Sequence, residues 1–166
     1  RQLGDGKPKY LNSPETPLFS KSHELYGLHH IRKFAKNLSR IVVVEGYMDV
    51  IALAQFGIHY AVATLGTSVS KPHLEMLFRR VDQVVFCFDG DEAGRKAAFR
   101  GMEAALPMME DGRQVKFLFL PEGEDPDSVV RNKGSQHLEH LFDHADPLET
   151  FLFDQMTQGI DLDTMD

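Results

Sequence analysis

The segment Val84-Val85-Phe86-Cys87-Phe88-Asp89-Gly90-Asp91-Glu92-Ala93-Gly94 joins a short apolar run to a pair of carboxylates. Val84 to Phe88 are β-branched and aromatic apart from Cys87, which reads as a buried strand that stops at Asp89. Asp89 and Asp91 lie two apart, so an extended backbone projects both carboxylates the same way, into the crevice beyond the strand's carboxyl end. Two such charges repel. Holding both ionised calls for a compensating cation, and for an all-oxygen donor set the natural ones are Mg²⁺ or Mn²⁺. The same residues also read as an Asp-Gly turn in which Asp91 caps the following helix.

Outward from this point the chain alternates strands and helices. Ile41-Val42-Val43-Val44 is a continuous β-branched run, as expected of a parallel strand covered on both faces, and it ends at Glu45-Gly46. Tyr47 to Phe56 reads as a helix with Met48, Ile51, Ala52 and Gln55 at helical spacing, closed by Gly57. Tyr60-Ala61-Val62-Ala63 is a second strand, and Ser70 with Pro72 starts a helix that runs to about Arg80. Glu92 to Met109 follows as a long helix with Ala93, Ala97, Ala98, Met102, Ala105 and Met109 inward. Val115 to Leu120 is the fourth strand, leading through Pro121-Glu122-Gly123-Glu124-Asp125-Pro126-Asp127 into a short helix from Ser128. Right-handed crossovers then give a mostly parallel open α/β sheet. Ligands bind such sheets beyond the carboxyl ends of the strands, where Glu45, Asp89, Asp91, Asp125 and Asp127 all fall.

The first 30 residues carry many breakers, among them Gly4, Gly6, Pro8, Pro14 and Pro17, and read as turns and short strands. Leu25-Tyr26-Gly27-Leu28 reads as a strand, and His29 to Asn37 as a basic helix with Ile31, Phe34 and Leu38 inward. Beyond Gly134 the pattern is helical, with Asp146-Pro147 opening a last helix. His137, His140 and His144 share one helical face, a spacing that suits zinc but lacks a completing Cys or acid, so they read as surface histidines.

The net charge of −7 is unevenly placed: residues 1–40 hold eight Lys and Arg against three Asp and Glu, and the remainder ten against twenty-two. A basic segment beside an acidic one suits a polyanion held next to metal-binding carboxylates. The single cysteine, Cys87, sits inside the buried strand and carries no redox expectation. With no 18-residue apolar run and no signal-peptide pattern, the sequence fits a disulfide-free cytoplasmic protein, and its ends read as those of a fragment.

Taken with their surroundings, these residues resemble the Toprim module shared by primases, topoisomerases and some nucleases. Its pattern is a glutamate after the first strand and a DxD after a later one, here Glu45 and Asp89-Gly90-Asp91. More specifically, Lys9-Tyr10-Leu11-Asn12-Ser13-Pro14-Glu15-Thr16-Pro17, Val44-Glu45-Gly46-Tyr47-Met48-Asp49-Val50, Leu65-Gly66-Thr67 and Gly123-Glu124-Asp125-Pro126-Asp127 resemble the catalytic core of bacterial DnaG-type primases. The resemblance implies part of an N-terminal α+β subdomain over 1–38, a Toprim metal-binding domain over 39–134 with a four-stranded, mostly parallel sheet, and the start of a helical subdomain over 135–166. It implies a nucleotidyltransferase that makes RNA primers on single-stranded DNA from ribonucleoside triphosphates in the bacterial cytoplasm, at the nucleoid. Glu45, Asp89 and Asp91 would be catalytic; Glu45, Asp49, Asp89, Asp91, Asp125 and Asp127 would hold Mg²⁺ or Mn²⁺; Lys9, Asn12 and Lys21 would contact nucleotide or DNA phosphates. Zinc is expected only in an N-terminal domain outside this sequence, and the replicative helicase only through a C-terminal domain outside it. A topoisomerase-like or nuclease-like Toprim enzyme, or a non-catalytic metal- or nucleotide-binding module, is the competing expectation.

Overall fold

The structure is a computed structural model and describes residues 13–34 and 37–157. The β-branched and aromatic runs form the sheet: β1 (Arg40–Val44), β2 (Ala61–Ala63), β3 (Gln83–Phe88) and β4 (Gln114–Phe119) are parallel, and a two-residue strand, β5 (Asp146–Pro147), adds antiparallel to β4. Strand order is β2-β1-β3-β4-β5. The chain therefore leaves β1 toward one side for β2 and then crosses to the other side for β3. The crevice at this reversal opens between the carboxyl ends of β1 and β3, where Glu45 and Asp89 stand.

Helices cover both faces. One apolar cluster joins the sheet to α1 (Leu28–Phe34), α3 (Lys71–Phe78), α4 (Glu92–Ala105) and α7 (Leu148–Thr157), through Ile31, Leu74, Leu77, Ala98, Met102 and Phe151. The other joins it to α2 (Tyr47–Gln55), α5 (Pro126–Lys133) and α6 (Ser135–Asp143), through Val50, Leu53, Val129, Val130, Leu138 and Phe142. Burial on both faces explains why β1 and β3 read as unbroken apolar runs rather than alternating ones.

Several expectations are corrected. Leu25 to Leu28 is no strand: Tyr26 makes a single antiparallel bridge with Ala63, and Gly27, at φ 87°, turns the chain directly into α1. A Cβ on Gly27 would lie 2.7 Å from the Ala61 carbonyl oxygen, so the turn needs glycine for space as well as for φ. Phe34 is 55% exposed instead of inward. In α2 the buried face is Val50, Ala52 and Leu53, while Met48 and Ile51 are exposed. In α4 Ala93 is exposed, and the helix seats itself through glycines, with Gly101 resting on the Phe86 ring. Asp146-Pro147 is the sheet's edge strand, and α7 begins at Leu148. An edge strand tolerates proline, whose missing N–H can face away from the ladder. Among the described residues no helix is long and apolar enough to cross a membrane.

Candidate functional site

The site is assembled from three strand-to-helix turns on one edge. After β1, Glu45 projects its carboxylate back over the next turn, and its Oε1 accepts a hydrogen bond from the Asp89 N–H at 3.2 Å. Asp49, in the first turn of α2, accepts the Gly46 N–H at Oδ2, 3.1 Å away. After β3, the Asp89–Asp91 turn is pressed between its neighbours. A Cβ on Gly90 would lie 2.1 Å from the Leu120 carbonyl oxygen, and one on Gly94 would lie 2.3 Å from the Asp89 oxygen and 3.2 Å from Glu45 Oε1. Only glycine at both positions lets the β3 turn approach both the β4–α5 loop and Glu45 this closely.

Both readings of Asp91 are realised at once. Its Oδ1 accepts the Gly94 N–H at 2.7 Å, capping α4, which leaves its other oxygen for a different partner. Asp125 does the same for α5, accepting the Ser128 N–H at 2.7 Å while Ser128 Oγ accepts the Asp125 N–H at 2.9 Å. Asp127 pairs with Arg131 one turn on, so its carboxylate is partly neutralised within its own helix.

The electrostatics show which carboxylates face each other. Partial burial, then repulsion from Glu45, Asp49, Asp125 and Asp91, push Asp89 up to about 7. Asp49 is pushed up to about 6, first by burial and then by Asp125, with the Gly46 and Asp127 N–H groups opposing. Glu45 is raised too, by loss of solvent and by Asp91, against the pull of the Asp89 N–H. Beneath them the fully buried Cys87 thiol is pushed well up by burial and by the same carboxylates, which keeps it protonated and unreactive.

Asp89 Oδ1 is buried and, among the described residues, is the one buried side-chain oxygen or nitrogen without a hydrogen-bond partner. A buried acceptor repelled by four carboxylates is relieved by a cation, not by another acceptor. The donor set is all oxygen, which suits a hard divalent ion. Among the described residues no three His, Cys, Asp or Glu side chains converge on one point that could hold a metal ion, and Asp91, Asp125 and Asp127 each turn an oxygen to their own helix.

Lys9 and Asn12 lie outside the described residues. Lys21 begins a 3-10 turn, Lys21–His23, that packs against the start of α3. Its N–H donates to Glu15 Oε1 at 3.0 Å, and its side chain forms no ion pair with the strand-end acids. Two features escaped the sequence. A cavity of about 290 Å³ opens beside Glu45, lined by Thr64, Gly66, Thr67, Ser68 and Arg100, with Arg100 Nη1 donating to Ser68 Oγ at 3.2 Å. No spacing rule connects Arg100 to residues 32 positions earlier. The second is His73, buried at the third position of α3, for which Ser70-x-x-His73 was a legible capping signal.

A doubly covered, mostly parallel sheet with acids at its switch point is the arrangement expected of a Toprim module, and comparison with known families agrees. The Toprim-like family matches residues 42–130, and the N-terminal domain of the DNA primase catalytic core matches residues 1–32. The chain belongs to the Toprim-like family. Within it, the chain is similar to bacterial DNA primase: it is 58% identical to that of Pseudomonas putida over 98% of its own length, covering 24% of the relative. A crystal structure of a DNA primase domain from Pseudomonas aeruginosa superposes with a TM-score of 0.92 at 57% identity, over 97% of this chain and 50% of that one. A structure described as the DnaG primase catalytic domain bound to ssDNA superposes with a TM-score of 0.92 at 52% identity, over 99% and 53%. The chain thus spans about a quarter of the length of its full-length relative and about half of these solved cores.

Proposed function

We propose that this chain carries the metal-binding half of a primase active site, which extends RNA primers on single-stranded DNA from ribonucleoside triphosphates. The observation that supports this most is Asp89. Its Oδ1 is buried without a partner, and burial, followed by repulsion from Glu45, Asp49, Asp125 and Asp91, raises its pKa to about 7. On this reading Glu45, Asp89 and Asp91 hold the reacting ion, with Asp49, Asp125 and Asp127 completing the acidic edge. Mg²⁺ or Mn²⁺ bound there would neutralise the triphosphate and lower the pKa of the attacking hydroxyl.

The protein's own residues supply position and charge. The Asp89 N–H fixes one oxygen of the Glu45 carboxylate and leaves the other for a ligand. The Asp91 and Asp125 caps lock two carboxylates to the rigid first turns of α4 and α5, which restricts their swing when a charged ligand arrives. Lys9, Asn12 and Lys21 are assigned to the phosphates of the template or the triphosphate, lysine serving as a mobile point charge. Single-stranded DNA and ribonucleoside triphosphates are the proposed partners, with the replicative helicase reached through a domain outside this sequence.

The test uses the full-length protein with Asp89→Asn. The expected outcome is loss of template-dependent ribonucleotide incorporation by at least about a hundredfold, the scale on which removing one transition-state charge contact acts, together with loss of the Mn²⁺ seen by electron paramagnetic resonance in the parent. Incorporation that survives in the variant sinks the assignment of Asp89. DNA becoming covalently attached to the parent protein would favour topoisomerase chemistry, and metal binding without incorporation would favour a non-catalytic module.

A further inference from the structure

His73 is the one fully buried polar or charged side chain among the described residues, and no catalytic role accounts for it. Its ring is satisfied on both sides. Nδ1 accepts the Ser70 N–H at 3.2 Å, so in the uncharged ring the proton sits on Nε2. Nε2 lies 2.9 Å from the Lys21 carbonyl oxygen and 3.1 Å from that of Glu24, and donates to this pair. Ser70, which caps α3 by accepting the His73 N–H at 3.4 Å, donates its own hydroxyl to the Ser22 carbonyl at 2.7 Å. Burial lowers the His73 pKa against the pull of the two carbonyls, which keeps the ring neutral.

The first turn of α3 therefore grips three carbonyls, of Lys21, Ser22 and Glu24. The gripped turn contains Lys21, and the loop leading into α3 supplies Thr64, Gly66, Thr67, Ser68 and Val69 to the wall of the cavity beside Glu45. Downstream, Tyr26 is fixed by its reciprocal bridge to Ala63 at the end of β2. A helix needs only Ser70 for its cap. Three carbonyls of a separate segment, captured by one buried imidazole and its neighbouring serine, exceed what capping requires.

We propose that His73 is a positioning residue for Lys21: its Nε2–H fixes the Lys21 backbone, and so sets where the lysine ammonium emerges relative to the carboxylate edge. This rests on the assignment of Lys21 to a phosphate. Replacing the imidazole with a group that still caps α3 but fails to reach the carbonyls frees the turn without emptying the helix terminus.

The experiment compares His73→Asn, which places an acceptor near the Nδ1 position, with His73→Gln, which carries an amide donor out to the Nε2 position, in the full-length protein. Primer synthesis is measured as KM and kcat for ribonucleotide and for template, alongside Lys21→Ala and the Lys21→Ala, His73→Asn double variant. Expected are a KM raised about fivefold in His73→Asn, the factor one hydrogen bond is worth, kcat nearly unchanged, recovery in His73→Gln, and a double variant no worse than Lys21→Ala. Additive effects in the double variant, or equal loss in the Asn and Gln variants, overturn the proposal. A Lys21→Ala variant with both KM values unchanged overturns the phosphate assignment and the proposal with it. If Lys21→Ala is impaired while His73→Asn behaves as the parent, this inference fails alone. Amide hydrogen exchange reads the tether independently of turnover: His73→Asn is expected to speed exchange across residues 21–26, and unchanged protection overturns the positioning role.

Discussion

Asp89 links the stability of the fold to the proposed cation site. Its carboxyl stands at about 7 in the fold against an ordinary aspartate value of 3.8, with burial the first cause and four neighbouring carboxylates the second. A carboxyl whose pKa is raised by folding favours the fold while it is protonated. That contribution is fully present below 3.8 and is lost as pH rises toward 7. Asp49, raised to about 6, adds in the same direction. The protein without divalent ions is therefore expected to lose thermal stability between about pH 5 and about pH 8. A bound cation reverses the sign by favouring the ionised carboxylates. Added Mg²⁺ should then raise Tm more at the upper pH than at the lower, by about 2.7 kcal/mol of stability at a hundredfold excess over Kd, and Asp89→Asn should flatten both profiles. Differential scanning calorimetry at the two pH values decides it; an equal Mg²⁺ effect at both means that Asp89 is not part of the cation site.

At the scale of elements, α4 carries a cap that is also a candidate ligand, and the two roles come apart by substitution. Asp91 Oδ1 accepts the Gly94 N–H, and asparagine caps about as well as aspartate. Asp91→Asn is expected to leave the denaturation midpoint nearly unchanged while removing ribonucleotide incorporation, and Asp91→Ala to lower stability by about 1 kcal/mol as well. If Asp91→Asn keeps full activity, the residue is a cap and nothing more. This double use is why the sequence offered both readings of Asp89-Gly90-Asp91 and the choice lay with its neighbours. The strands were legible because β1 and β3 are apolar on both faces, and α3 because Ser70 and Pro72 mark its start. The facing of α2 was not. Met48, Val50, Ile51, Ala52 and Leu53 make that helix apolar nearly all round, so periodicity does not select a side, and packing against α5 buries Val50 and Leu53 instead of Met48 and Ile51. β5 was invisible for a different reason: two residues carry no period, and its pairing depends on Lys116 and Phe117, far back in the chain.

For the whole molecule, the C-terminal part acts as a clamp on the sheet. β5 pairs with β4 at the edge, α6 buries Leu138 and Phe142 on one face, and α7 buries Leu148 and Phe151 on the other. Arg40, at the start of β1, reaches Glu139 at 2.6 Å and Asp143 at 2.5 Å, and Tyr60 donates its hydroxyl to Glu139. This network ties α6 to the amino ends of the strands, whereas the acidic residues stand at the carboxyl ends. This network and the proposed cation site thus lie at opposite edges, and changes at one should add to changes at the other with little coupling. Phe142→Ala is expected to cost about 3–5 kcal/mol, since the ring is fully buried and its loss leaves a cavity. The denaturant midpoint should fall as one transition followed by circular dichroism and by exchange of the β3 amides, because β3 and α6 share an apolar cluster. Under conditions where the variant stays folded, its Mn²⁺ affinity should match the parent's. A separate early transition for α6 with β3 unmoved would mean that the C-terminal helices are an independent appendage, and a weakened Mn²⁺ site would mean that the two edges communicate through the sheet.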